Sequence, residues 1–155
     1  MDLKEYQGKK LLVKSGIPVP KGMLVVKNKV LKTDPFKKLK TNKLVLKAQI
    51  PFGKRGKAGG ILFAQPNDFK AKIKLLFSKK INNFKVKEIW VEEKLSIKKE
   101  FYLAVALDRE TKGLVLIFSS IGGEVIEVSS FIHPDKIIKI YPVKQRPGLK
   151  IPQNV

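Results

Sequence analysis

The stretch LVLKAQIPFGKRGKAGGILFA, residues 44–64, constrains the fold more than any other part of the sequence. Two apolar segments flank a loop of glycines and basic residues, and short apolar runs bounded by glycine and proline are typical of β-strands. Successive backbone N–H groups in a glycine-rich turn can form a concave anion site. The stretch therefore predicts two strands joined by a phosphate-binding loop, although it lacks the GxxxxGK[ST] pattern of a P-loop.

Lys47 lies late in the first apolar segment and leads directly into this loop. A lysine at such a position is either a surface side chain whose ammonium group reaches solvent or a cation directed at a phosphate held by the loop. Within the loop itself, backbone freedom comes from Gly53, Gly56, Gly59 and Gly60, and positive charge comes from Lys54, Arg55 and Lys57. The sequence pattern leaves both interpretations of Lys47 open.

Composition limits the class of protein. The chain has 155 residues and 43% hydrophobic content, which is enough for one domain or two small lobes. It contains no run of 18 apolar residues and no apolar N-terminal signal, so we expect a cytoplasmic protein without a membrane partner. The absence of cysteine excludes disulfides and thiolate metal sites, and a single histidine, His133, cannot form a zinc site alone.

The formal charge of +20 raises the question of a nucleic-acid partner. Only three of the 33 basic residues are arginines, however, and the lysines are spread along the whole chain. Direct base readout and bidentate phosphate contacts favour arginine. We therefore expect that nucleic acid is not the main partner.

Periodicity and turn residues predict an α+β chain. An amphipathic helix is predicted over DLKEYQGKKLLVKSG, with Asp2 as its cap and Gly16 as its end, and a second helix is predicted to begin near Pro66. Strands are predicted in KGMLVVKNK, TNKLVLKAQI, GGILFA and KEIWVEEKL, followed by a hairpin around the loop DRETKG, a short element in GGEVIEVSS and a last strand in KIIKIYPV. The change of pattern places a hinge between two lobes near Leu95 to Lys98.

Two acidic residues flank this predicted hinge. Glu92 ends the strand IWVEE, and Glu100 opens EFYLAVALD. Fixed carboxylates at such positions can accept hydrogen bonds from an amine or from ribose hydroxyls. They can equally form surface ion pairs with neighbouring lysines. The residues alone favour neither interpretation.

Four segments together resemble one enzyme family. LKEYQGKKLLVKSGIPVPKG, LVLKAQIPFGKRGKAGG, VEEKLSIKKEFYLAVALDRETKG and SSIGGEVIE are similar, in this order, to the N-terminal part of the β subunit of ADP-forming succinyl-CoA synthetase, an ATP-grasp enzyme. The resemblance extends from Met1 to about Ile140. It implies an ATP-grasp fold of two lobes, the first complete and the second truncated.

The resemblance also implies roles for particular residues. It assigns Lys47 to the nucleotide phosphates and the loop residues Lys54, Arg55 and Gly56 to closure over them. It assigns Glu92 and the backbone at Leu95 to adenine, and Glu100 to the ribose hydroxyls. Residues 1–19 would form an opening helix of the second lobe, residues 20–95 the first lobe, and residues 96–155 part of the second lobe.

The implied reaction joins succinate and CoA, with hydrolysis of ATP to ADP and phosphate, through a phosphohistidine on a partner α subunit. Close variants use acetate, malate or citrate in place of succinate. The resemblance places the magnesium ligands beyond Val155, so we expect ATP and Mg²⁺ as cofactors, no metal ligand in this chain, and no catalysis by the chain alone.

Two segments depart from the family pattern. Pro51, Phe52 and Lys54 replace small residues before RGKAGG, and IGGEVIE replaces EGGVEIE. Contacts made by these segments are therefore not transferred, and His133 is not the phosphohistidine. A non-catalytic, degenerate ATP-grasp module or a basic nucleic-acid-binding module is the alternative function.

Overall fold

The chain divides into two compact units, Met1–Ser96 and Ile97–Val155. The structure is a computed structural model that describes residues 3–51, 55–109, 112–120 and 137–140. Both units contain strands, and the first also contains helices, as the predicted α+β class requires. The assignment of residues 1–19, 20–95 and 96–155 to ATP-grasp lobes stays a prediction.

The first unit is built on a four-stranded antiparallel sheet. The strand order is β1-β6-β2-β3, and a separate two-stranded hairpin is formed by β4 and β5. The four predicted strands of this unit are confirmed, and each lies within the stretch of sequence predicted for it. The elements are α1 (Glu5–Lys14), β1 (Gly22–Val26), α2 (Pro35–Leu39), β2 (Leu44–Ala48), β3 (Ile61–Ala64), α3 (Phe69–Ser78), β4 (Lys80–Ile81), β5 (Phe84–Lys85) and β6 (Glu88–Glu93).

One face of this sheet carries the hydrophobic core. Side chains alternate between the two faces of a strand, so Leu44 and Leu46 of β2 share a face with Ile89 and Val91 of β6. These side chains are fully buried, and each stabilises the fold by about 1.5–3 kcal/mol relative to an exposed side chain. Leu39 of α2 and Phe69 and Leu76 of α3 complete the same cluster.

The opposite face of the sheet is polar and lies against α1. Lys47 of β2 and Gln49, which directly follows the strand, alternate with the core residues, as do Trp90 and Glu92 of β6. The backbone N–H of Tyr6 in α1 donates to Gln49 Oε1 at 3.2 Å. The helix therefore covers the face on which the candidate site residues lie.

The first helix begins later than the sequence predicts. It starts at Glu5, and the backbone N–H of Lys4 donates to Gln7 Oε1 at 2.9 Å, while Asp2 lies outside the described residues. The predicted end at Gly16 is confirmed. Gly16 adopts a positive φ of 78°, and the N–H of Ile17 donates to the Leu12 carbonyl at 2.9 Å, which is the Schellman pattern.

The helix near Pro66 also begins later than expected. A turn over residues 66–68 precedes α3, which starts at Phe69. The Asp68 carboxylate accepts from the Gln65 N–H at 2.8 Å and pairs with Lys72, so it fixes this turn. The buried positions Phe69 and Leu76 are seven residues apart and lie on one face of the helix.

Two short elements have signals in the sequence that our prediction did not use. The five-residue helix α2 begins at Pro35, and the Asp34 carboxylate accepts from the Phe36 N–H at 2.9 Å, so Asp-Pro marks its start. The turn between β4 and β5 contains Asn82 and Asn83 at φ values of 46° and 66°. Asparagine tolerates positive φ in tight hairpin turns, so the Asn-Asn pair marks this turn.

The second unit contains a three-stranded antiparallel sheet, ordered β7 (Tyr102–Asp108), β8 (Gly113–Ser119) and β9 (Ile137–Ile140). The predicted hairpin around DRETKG is confirmed, because Asp108 pairs with Gly113. Three apolar side chains of β7 are exposed, namely Leu103, Val105 and Leu107. The segment GGEVIEVSS and His133 lie outside the described residues.

Candidate functional site

Lys47 joins an ion cluster between the sheet and α1. Its Nζ lies 2.5 Å from Glu92 Oε1 on the neighbouring strand and 3.0 Å from Glu5 Oε1 on the helix. Position 47 is on the polar face of β2, opposite Trp90 in the register. The side chain is mostly buried, with 20% of its area exposed. The interpretation of Lys47 as a solvated surface lysine is therefore wrong for this structure.

Arg55 reaches the same cluster from the glycine loop. Its Nη2 atom donates to Glu5 Oε2 at 2.7 Å, and its Nη1 atom donates to the Ala48 carbonyl at 2.8 Å. The second bond fixes the guanidinium group at the end of β2. Glu5 is thus held by Lys47 through one oxygen and by Arg55 through the other.

Glu92 is the buried acid of the cluster, with 3% of its area exposed. Besides Lys47, it pairs with Lys9 of α1, and Trp90 Nε1 donates to its Oε2 atom at 2.8 Å. Lys9 Nζ also lies 2.9 Å from the Oε1 atom of Glu5, which precedes Lys9 by one helical turn. The ring of Tyr6 stacks on Trp90, with centroids 6.1 Å apart and 18° between the planes.

The charges in the cluster hold one another in their ionised forms. Burial works against the ionised form of Glu5, but the hydrogen bond from Lys9 and the charges of Lys47 and Lys9 outweigh it and lower the pKa of Glu5 to about 2. Burial also works against the charged form of Lys47. The hydrogen bond to Glu92 and the charges of Glu5 and Glu92 outweigh that effect and raise the pKa of Lys47.

The cluster has more cations than carboxylates. Three cations, Lys9, Lys47 and Arg55, face two carboxylates, Glu5 and Glu92, which leaves a net charge of +1. Lysine and arginine are the side chains that bind phosphate oxygens, and arginine does so with a bidentate geometry. The arrangement therefore provides converging donors for an anion once the internal carboxylate moves aside.

The glycine loop differs from the open anion cradle that the sequence predicts. The N–H of Gly59 donates to the Gly56 carbonyl at 3.0 Å, and the N–H of Gly60 donates to the Arg55 carbonyl at 2.7 Å. These two N–H groups therefore bond within the turn. In the described part of the loop, the Arg55 side chain rather than the glycine backbone is directed at the ion cluster.

The predicted site residues fall into three groups. Lys47, Arg55 and Glu92 are brought together, and Gly56 lies in the turn next to Arg55. Leu95 follows β6 with 50% of its area exposed, and Glu100 is exposed in the second unit. Lys54 lies outside the described residues.

The sequence analysis missed the contribution of α1. Glu5, Lys9 and Tyr6 contact the polar face of the sheet, and Trp90 supports Glu92. The spacing of Glu5 and Lys9, four residues apart on one helical face, was the available signal, although such a pair is usually a surface pair.

Neither a metal site nor a membrane span is found in the described ranges. No group of three or more His, Asp or Glu side chains there could hold a metal ion, so these residues do not fit a magnesium site of their own. The longest described helices have ten residues, whereas a bilayer-spanning helix needs about 20 apolar residues.

Comparison with known proteins decides the family. The model of the ATP-grasp domain matches residues 2–153. This chain belongs to the ATP-grasp domain family. The solved structure of ATP citrate lyase from Methanothrix soehngenii, in complex with citrate and coenzyme A, covers 99% of this ATP-grasp chain with a TM-score of 0.65 and 21% identity, while 39% of that structure is covered. This likeness supports the ATP-grasp fold alone.

Curated relatives of this ATP-grasp chain carry the name of one enzyme subunit. It is 44% identical over 151 residues to the β subunit of ADP-forming succinate–CoA ligase from Methanocaldococcus jannaschii, covering 96% of the chain and 40% of the relative. The same subunit from Staphylothermus marinus is 39% identical over 145 residues, which cover 90% of the chain and 37% of the relative. The chain thus spans about two-fifths of the length of these relatives.

Proposed function

We propose that this chain is the nucleotide-binding part of the β subunit of a cytoplasmic ADP-forming succinate–CoA ligase. The observation that carries the proposal is the convergence of Lys47, Arg55 and Glu92 in one partly buried cluster of an ATP-grasp chain. The relatives named for this ligase support the choice of enzyme within the ATP-grasp family.

Each cation in the proposal has a distinct task. Lys47 provides a compact positive charge at the end of β2 for a phosphate oxygen. Arg55 is tied to the Ala48 carbonyl, so its second terminal nitrogen can hold an adjacent phosphate oxygen in a fixed direction. Both groups keep the polyphosphate in place while the rest of the enzyme carries out the transfer. Lys54 and Gly56 complete the phosphate-binding loop.

The remaining residues recognise the nucleoside. Glu92 and the backbone at Leu95 hold the adenine, and Glu100 accepts hydrogen bonds from the ribose hydroxyls. Mg²⁺ accompanies ATP as a cofactor, and its charge stabilises the phosphates when it is bound. As the family resemblance implies, its ligands would come from another part of the subunit. The enzyme further requires an α subunit that binds CoA and carries the phosphohistidine, and this chain alone does not complete the reaction.

Calorimetric titration of the chain with ATP and Mg²⁺ tests the proposal. We expect saturable binding that is lost in Lys47→Ala and retained in Lys43→Ala. Lys43 is a matched control because it precedes the same strand and is exposed. Circular dichroism of both variants verifies that they are folded. Binding that is equal in the two variants would contradict the phosphate role of Lys47.

Two further titrations distinguish the alternatives. GTP in place of ATP tests base preference, and single-stranded DNA in a salt series tests the nucleic-acid function. A basic nucleic-acid-binding module would show no nucleotide binding together with DNA binding that weakens steeply as salt rises. That combination would overturn the proposed function.

A further inference from the structure

The carboxylate of Glu5 occupies the position between the two cations that the proposed function assigns to phosphate. Its Oε1 atom lies 3.0 Å from Lys47 Nζ and 2.9 Å from Lys9 Nζ, and its Oε2 atom lies 2.7 Å from Arg55 Nη2. Carboxylates and phosphates bind the same lysine and arginine donors. Glu5 thus makes with these three side chains the contacts that a phosphate group would make.

Glu5 reaches this position on a helix that is weakly anchored. The helix α1 contains no buried residue. A groove of about 470 Å³ lies between it and the residues that lead into β1, with Tyr6 and Lys9 on its helix side and Trp90 on its sheet side. Ion pairs, the hydrogen bond from Tyr6 to Gln49 and one aromatic contact therefore hold α1 to the sheet, and elements with few buried apolar contacts open at low free energy.

The electrostatic balance of the cluster favours exchange of one anion for another. With Glu5 in place, the cluster of three cations and two carboxylates carries a net charge of +1, and without that carboxylate the net charge rises to +2. A triphosphate brings more negative charge than one carboxylate. Lys47 and Arg55 would therefore bind phosphate more strongly than they bind Glu5, provided that α1 releases them.

We propose that Glu5 is an internal competitor for the phosphate tail of the nucleotide. The helix α1 neutralises Lys47 and Arg55 when the site holds no phosphate, and phosphate binding displaces Glu5 from both. This inference rests on the proposed function, because it uses the same two cations. It adds a coupling between phosphate occupancy and the position of α1.

The first test compares Glu5→Gln with Glu88→Gln. Both variants remove one carboxylate charge that pairs with a lysine in or next to α1, and Glu88 pairs with Lys4 at 2.5 Å. Among the described ion pairs, Glu88 does not contact Lys47 or Arg55, whereas Glu5 contacts both. We expect Glu5→Gln to bind ATP and inorganic pyrophosphate about five- to twentyfold more tightly than wild type, in the usual range of coupling between sites. Adenosine affinity should be unchanged, and Glu88→Gln should match wild type.

The outcomes show whether the inference fails alone or together with the proposed function. Equal affinities in Glu5→Gln and Glu88→Gln would overturn the competition, and weaker phosphate binding in Glu5→Gln would show that Glu5 positions the cations instead. ATP binding that persists in Lys47→Ala would contradict the proposed function. Loss of binding in Lys47→Ala without a gain in Glu5→Gln would contradict only the inference. If neither the wild type nor Glu5→Gln binds ATP or pyrophosphate, the inference and the proposed function are both overturned.

A second measurement uses the wild-type chain and does not depend on a variant that folds. Trp90 is the single tryptophan of the chain, and Tyr6 of α1 stacks on it. Pyrophosphate has no base to contact the indole ring, so a change of tryptophan emission during its titration reports a change in the surroundings of Trp90, which Tyr6 of α1 contacts directly. We expect the emission to change during the pyrophosphate titration, with the same midpoint concentration as the calorimetric titration with pyrophosphate. Saturable pyrophosphate binding with constant emission would contradict the displacement of Glu5.

Discussion

Gly22 lies so close to Trp90 that a Cβ atom at position 22 would come within 2.5 Å of Cζ2 of the indole ring. The two residues are on the adjacent strands β1 and β6, where Gly22 pairs with Glu92. The absence of a side chain at position 22 therefore lets the indole ring lie flat beside the strand. Its Nε1 atom is then directed at the Glu92 carboxylate.

Gly22→Ala should destabilise the fold. We expect a loss of about 1–3 kcal/mol in the free energy of unfolding, because the extra methyl group must displace a ring that is buried and stacked on Tyr6. The measurement is urea unfolding followed by circular dichroism.

Gly8→Ala is the matched control for this change. Gly8 lies inside α1, and a Cβ atom there meets nothing within 4 Å. Alanine has the higher helix propensity, so the free energy of unfolding should rise, by up to about 1 kcal/mol. Equal destabilisation by both substitutions would show that the contact with Trp90 does not limit position 22.

The acid stability of the fold should depend on Glu5. Its pKa is lowered from 4.5 to about 2 in the folded chain, so its ionised form stabilises the fold above about pH 4.5 and the contribution is lost as the pH falls towards 2. At pH 7 the free energy of unfolding of the wild type should be higher than that of Glu5→Gln by about 1–2 kcal/mol, a value that allows for solvent screening of a partly exposed group. Urea midpoints at several pH values measure this difference, which should shrink between pH 4.5 and 2. A difference that is constant over this range would contradict the ion cluster.

The two lysine pairs in the ten-residue helices should differ in strength. Lys9 bridges Glu5 and the buried Glu92, and 15% of its side chain is exposed. Among the described residues, Lys72 has one ion-pair partner, the nearby Asp68, and 34% of its side chain is exposed. We expect Lys9→Gln to cost about 1.5–3 kcal/mol because it leaves Glu92 with fewer partners. Lys72→Gln should leave the free energy of unfolding nearly unchanged, because its pair with Asp68 is exposed to solvent. Thermal unfolding of both variants provides the comparison, and equal losses would count against a special role of Lys9.

The turn at Asn82 and Asn83 should tolerate glycine and reject a β-branched residue. Asn83 has a φ of 66°, which a branched side chain adopts only with strain. Asn83→Val should therefore lower the free energy of unfolding by about 1–2 kcal/mol, while Asn83→Gly should be neutral or slightly stabilising. Thermal unfolding measures both effects, and a valine variant as stable as the glycine variant would contradict the turn geometry.

Local pattern predicted the strands well because their apolar periodicity is set by the core. Leu44 and Leu46 had to share a face, and Gly16 had to end a helix, whatever the rest of the chain did. The start of α1 was less well predicted, because the side chains of Asp2 and Gln7 can both accept hydrogen bonds from backbone N–H groups at a helix N-terminus. Only the geometry shows that the Gln7 side chain accepts the hydrogen bond from the Lys4 N–H.

The residues of the ion cluster could be predicted from the sequence only in part. Lys47, Arg55 and Glu92 stood out by charge next to strands and glycines. Glu5 could not be selected from the sequence, because its partners Lys47 and Arg55 are 42 and 50 residues away along the chain. Its spacing with Lys9 resembles that of many solvent-exposed helix pairs. Long-range contacts of this kind become visible only in the folded chain.

The long separation between α1 and β6 has a consequence for synthesis on the ribosome. Lys9 finds Glu92 only after 83 further residues have been added, which takes about 4–17 s at typical elongation rates. During this interval Lys9 lacks its buried carboxylate, although Lys47 and Arg55, the partners of Glu5, have already been added. The complete ion cluster therefore forms only when β6, the last strand of the first unit to be synthesised among the described residues, supplies Glu92.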